Sequence, residues 1–329
     1  MKTIASVFWN PLEHRLRAGW RIVLQAVLFL VLLAIGSGTI QVFVAITGII
    51  LPQNVSIFAM RLLSPIGLTL GAFASLAIAG LLLDRRPFAD FGFHFNRRWW
   101  ADFAFGLGLG AVLMLLIFLV EQSLGWITIT NDFFNDPPST TLWNNALIML
   151  VQFIAVGFYE EIFSRGYQLR NLAEGFGFLG RKGLYGLLAG WLISSSVFGF
   201  LHLGNPNSTF ISTFNLVIAG LFLGLGYVLT GELAIPIGLH ITWNYFQGIV
   251  FGFPVSGSKS GSSFIQIQQN GPTLFTGGDF GPEAGLVGLA AMFLGSLLIV
   301  LWVKQTRHNI ALQNRLAQYQ PPTPPQSLS

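Results

Sequence analysis

The side chains that could do chemistry in this chain are few and regularly spaced. Glu160 and Glu161 stand side by side, with Arg165 four residues after the second. Phe198 precedes His202 by four residues, and His240 precedes Asn244 by four. Helix positions four apart share a face, so Glu161 can pair with Arg165. Glu160 is turned about 100° away and is the acid left free to face a cavity. A carboxylate so placed can take a proton as general base and return it as general acid. The His240 imidazole and the Asn244 amide, side by side, suit hydrogen bonding to a developing oxyanion. His202 could hold the attacking water with Glu160, or ligate a metal; Glu160, His202 and His240 together are candidate zinc ligands. There is no Cys, which excludes thiol catalysis, disulfides and Cys-ligated zinc.

The elements that must position these groups are membrane spans. Of the 329 residues 53% are hydrophobic and only 9% are charged, against roughly 25% charged in a soluble domain. So little charge leaves lipid to cover much of the surface. Apolar runs of about 20 residues, the length a span needs, fall at 22–46, 62–83, 101–120, 142–163, 184–202, 210–229, 233–253 and 284–303. The expected fold is an all-α, polytopic membrane helix bundle of about eight transmembrane helices. Of the 17 Lys and Arg residues, all but Arg61 and Lys259 fall in segments that this count places on one side. With an even number of spans, the positive-inside rule puts both termini in the cytoplasm. The net charge of +4 is explained by that clustering and does not require nucleic acid as a partner. Gly175, Gly177 and Gly180 spell G-x-G-x-x-G, but no strand precedes them, so a nucleotide site is not expected. Gly67/Gly71 and Gly220/Gly224 read as close-packing faces.

The organisation expected is an N-terminal transmembrane region of three spans (1–141), a core carrying the three motifs (142–253), and a last part (254–329). That last part holds a Gly- and Ser-rich outer loop expected to be flexible and a final span. It ends in a Pro-rich tail from Gln318, expected to be disordered.

E-E-x-x-x-R, F-x-x-x-H and H-x-x-x-N, in this order on separate spans, resemble the CAAX protease and bacteriocin-processing family of intramembrane proteases, which includes the type II CAAX prenyl endopeptidases. The matching residues are Glu160, Glu161 and Arg165; Phe198 and His202; His240 and Asn244. The resemblance implies an integral, multi-pass endopeptidase, in a bacterial plasma membrane, acting on a membrane-associated protein or peptide. Glu160 and His202 would activate water, His240 and Asn244 would stabilise the oxyanion, and Glu161, Arg165 and Phe198 would support the site. Whether zinc takes part is left open by these residues, since both a metalloprotease and a metal-free glutamate protease fit them. The same intramembrane Glu and His would also suit an ion-coupled transporter or a non-catalytic membrane scaffold.

The expected spans carry one internal conflict. His202 lies about 20 residues into the fifth span, roughly 30 Å at 1.5 Å per residue, which is near the outer face. Glu160 closes the fourth span near the inner face. For the two to meet, either the fourth helix runs on past Arg165 or residues 183–190 lie shallow.

Overall fold

A computed structural model describes residues 5–50, 52–132, 140–180 and 183–321. Lys2, Arg181 and Lys182, counted among the basic residues above, and the tail beyond Pro321 lie outside the described residues.

The chain is an all-α bundle. Its helices are α1 (Ala18–Thr47), α2 (Gln53–Asp84), α3 (Arg97–Ser123), α4 (Thr140–Gly175), α5 (Leu184–Leu201), α6 (Phe210–Thr230), α7 (Ala234–Tyr245) and α8 (Leu286–Arg307). All except α7 are long and apolar enough to cross a membrane, seven among the described residues. The 233–253 span expected from sequence is α7 followed by a π-helical turn, Phe246–Val250. This segment is buried along most of its length inside the other helices.

Local sequence sets the helix ends. The Asn96 side chain accepts the Trp99 N–H and opens α3. Thr209 and Ser212 form a reciprocal capping box that opens α6. Gly231, with φ +75°, closes α6 in the left-handed conformation that glycine adopts without steric cost. Glycines also permit the tightest helix crossings. A Cβ on Gly67 would lie 2.4 Å from the Gly36 carbonyl oxygen, and one on Gly71 would lie 2.3 Å from that of Leu32, so α1 and α2 pack backbone to backbone.

One end of the bundle collects buried ion pairs. Arg21 donates to Asp84 at 2.5 Å and to Glu174 at 3.1 Å. Arg15 reaches Glu174 at 2.8 Å, and Arg86 also binds Glu174. The start of α1 and the ends of α2 and α4 are thereby joined. Arg307, at the end of α8, pairs with Asp102 at the start of α3. Tyr319 stacks on the Arg15 guanidinium, 3.5 Å from Cζ to the ring centroid, so the beginning of the tail is packed against the bundle.

At the opposite end two short strands, β1 (Ile127–Asp132) and β2 (Ile265–Gln269), pair antiparallel. Asn145 on α4 donates to the carbonyls of Ser260 and Ser262, at 2.9 and 2.8 Å. Composition suggests a flexible loop at 254–283. In the fold its Ser, Gln and Asn residues instead supply backbone and side-chain hydrogen bonds that hold it across the helix ends.

Candidate active site

The fourth helix resolves the conflict of depth. It does not stop at residue 163 but continues through a π-helical stretch, Ile162–Leu169, to Gly175. Glu160 is therefore carried away from the ion-paired end and toward the end where α5 delivers His202. The expected boundary was short because Arg165, Arg170 and Glu174 break the apolar run. In the fold these charges are buried in pairs. The wider π turn begins immediately after Glu161, and a second one follows Asn244 closely, at Phe246–Val250. Such turns recur at functional sites.

The two adjacent glutamates face different surroundings. The Glu161 side chain is 0% exposed, whereas that of Glu160 is 23% exposed. Oε1 of Glu161 accepts from Arg165 at 2.9 Å and lies 2.9 Å from Nδ1 of His240. The second guanidinium nitrogen of Arg165 donates to the Gly220 carbonyl at 3.0 Å, tying α4 to α6. Glu161 thus orients both a cation on its own helix and an imidazole on α7. Nε2 of His240 then points toward Glu160, 4.0 Å from Oε2.

Phe198 fills the centre of this arrangement. Its ring lies under the Arg165 guanidinium at 4.5 Å, a cation–π contact, and its centroid is 4.8 Å from that of His202 and 6.3 Å from that of His240. The Phe198 carbonyl lies 2.8 Å from Nδ1 of His202. A carbonyl oxygen can only accept, so Nδ1 carries the proton and Nε2 of the neutral ring is left as an acceptor.

Glu160, Phe198, His202, His240 and Asn244 all line one cavity of about 1280 Å³. Glu161 and Arg165 stand behind its wall. The three motifs, far apart in sequence, are therefore brought to one place. The cavity walls are not confined to residues 142–253: α1 and α2 contribute Phe29 and Arg61, and the loop before α8 contributes Ser256 and Lys259.

The metal-ligand expectation fares differently. Among the described residues no group of three or more His, Asp or Glu side chains is placed to hold a metal ion. Nδ1 of His240 is committed to Glu161, and its Nε2 is 4.0 Å from Glu160. Two ligands at about 2.0–2.2 Å from a tetrahedral zinc would stand closer than that. As they stand, Glu160, His202 and His240 are not gathered as a three-ligand group.

A third acid, missed in the sequence, also reaches the cavity. Glu283 is buried just before α8. It accepts from the Ser256 N–H at 2.5 Å and from the Ser256 hydroxyl at 3.1 Å, and it binds the Gln247 amide. Burial pushes its carboxyl up to about 7. Gln247 lies seven residues after His240 and three after Asn244, so the three side chains share one helix face. That spacing was the available signal.

No curated protein and no solved structure matches the chain. One family model does, and its span, residues 142–246, contains all seven motif residues. That model is described as type II CAAX prenyl endopeptidase Rce1-like, so this part of the chain is similar to a CAAX-protease-like domain.

Proposed function

We propose that this protein is an intramembrane endopeptidase that hydrolyses a peptide bond in a membrane-associated or lipidated protein or peptide. The observation that carries the reading is the shared cavity, with Glu160 on its wall and Glu161 withheld behind it by Arg165 and His240. In the proposed reaction a water bound between Glu160 and Nε2 of His202 loses a proton to the Glu160 carboxylate. The resulting hydroxide adds to the scissile carbonyl carbon. The oxyanion accepts hydrogen bonds from the Asn244 amide and from His240 in its doubly protonated form, with Nδ1–H held by Glu161 and Nε2–H left to donate. Glu160 then delivers its proton to the departing nitrogen as the C–N bond breaks. Glu161 and Arg165 set the orientation of His240, and Phe198 fixes Arg165 and His202.

The reading includes eight membrane crossings, counting α7 with its π turn, and cytoplasmic termini. It also places the protein in a bacterial plasma membrane. The ion-paired, basic end of the bundle supports that orientation.

The test is purified full-length protein in liposomes with a pool of apolar quenched-fluorescent peptides. Wild type is expected to cleave them. Glu160→Gln and His202→Ala should each reduce kcat by about 10²–10⁴-fold, the range for a lost general base. Unchanged cleavage by Glu160→Gln would overturn the mechanism. Glu160-dependent proton flux without hydrolysis would favour a carrier instead.

A further inference from the structure

Two basic residues escape the rule that accounts for the other fifteen. Arg61 lies within α2, eight residues from the helix start at Gln53, and Lys259 lies in the loop at that same end of the bundle. Both are on the wall of the cavity that holds Glu160, His202, His240 and Asn244. The buried arginines of the opposite end are ion-paired, but no carboxylate pairs with Arg61 or Lys259 among the described residues. Arg61 stands just before the 62–83 apolar run and Lys259 in a loop, and both side chains are exposed, so each is open to an anion that enters the cavity.

The position of Lys259 is built rather than incidental. Its loop is fixed on one side by Ser256, bound to Glu283, and on the other by Ser260, whose carbonyl accepts from Asn145. A Val255–Ser258 bridge closes the turn just before Lys259. Lys259 thereby lines the cavity from this loop, and Arg61 lines it from α2. Arg61 also lines the neighbouring groove between α1 and α2, with Val44, Gln53 and Ser56, so it stands where that groove meets the cavity.

From this we propose that Arg61 and Lys259 form an anion-recognition subsite that binds a carboxylate of the peptide substrate and so orients it over Glu160. Ionised Glu160 repels an anionic group, and the two cations attract it, so the charges polarise the cavity. A peptide carrying one carboxylate can then enter in one sense only. The peptide's C-terminus or an Asp or Glu side chain supplies the carboxylate. The inference rests on the proposed peptidase reading, and both cations lie outside the 142–246 match.

The experiment uses full-length protein in phosphatidylcholine nanodiscs and one apolar peptide pool made in three forms: free C-terminal carboxylate, C-terminal carboxamide, and carboxamide with one internal Asp. Equilibrium binding to Glu160→Gln protein is read by fluorescence anisotropy, so no turnover is needed. At least one carboxylate form is expected to bind about tenfold more tightly than the neutral form, and the form that does so identifies the source. Arg61→Gln with Lys259→Gln should bring that ratio to about one. On active protein the preference should appear in KM and not in kcat. Equal binding of all three forms, or no binding of any, overturns the subsite, as does a preference that survives the double substitution. A preference suppressed by adding phosphatidylglycerol to the nanodisc would assign the cations to lipid phosphate and also overturn it. Loss of hydrolysis is a separate matter: if Glu160→Gln still cleaves, the peptidase mechanism fails whatever the binding ratio.

Discussion

Glu160 and Glu161 are chemically identical and one residue apart, yet a helix turn gives them opposite tasks. Glu161 is enclosed and shared by Arg165 and His240. Glu160 has no ion pair closer than the 4.0 Å approach of His240 and faces the cavity. Their substitutions should therefore separate stability from activity. Glu161→Leu leaves the buried Arg165 guanidinium unpaired and should destabilise the protein by about 3–5 kcal/mol. Adding Arg165→Met should recover much of that loss, because removing both charges avoids the stranded one. Glu160→Gln should leave thermal stability within about 1 kcal/mol of wild type, the usual range for a change away from a buried network. Thermal unfolding of the three variants in detergent checks this, and an equal loss in Glu160→Gln would contradict the division.

At the scale of elements, the segment between the π turn and α8 is a cap held by Glu283. This carboxyl joins Gln247, next to the motif face of α7, to Ser256 in the loop that presents Lys259. Its pKa is raised from the ordinary 4.5 to about 7 by burial. The folded state then keeps a proton that the unfolded state releases above about 4.5. Over the window from about 4.5 to 7 the native state binds more protons, so stability falls as pH rises and levels off above it. Wild type should lose thermal stability across that window by more than Glu283→Gln does. Melting curves of both proteins at intervals from pH 4.5 to 8 measure the difference. Parallel curves would show that Glu283 does not titrate there.

At the scale of the molecule, the helices alternate between an end rich in buried arginine pairs and an end closed by the β1–β2 ribbon. The orientation proposed above can be read directly, because the chain has no Cys. Single cysteines at Arg98 and Ser123, near opposite ends of α3 and both exposed, report the two faces of the membrane. A membrane-impermeant maleimide applied to intact cells should label Ser123→Cys at once and Arg98→Cys only after permeabilisation. The reverse pattern would invert the topology.

The sequence by itself determined the class of the protein and the identity of its motifs. Long apolar runs have only one way to satisfy their backbone in lipid, so the helices were legible, and four-residue spacing placed Glu161 with Arg165 and His240 with Asn244 on shared faces. It also marked Arg61 and Lys259 as exceptions without a use. What only the tertiary structure decided is where these faces meet. The end of α4 was hidden because hydropathy reads Arg165, Arg170 and Glu174 as a boundary, whereas partners from α1, α6 and the segment just after α2 allow those charges to be buried. The π turns, the Glu283 latch and the cavity that His202 and Glu160 both line depend on contacts between segments distant in the chain. No local spacing encodes such contacts, since they exist only once the helices have packed.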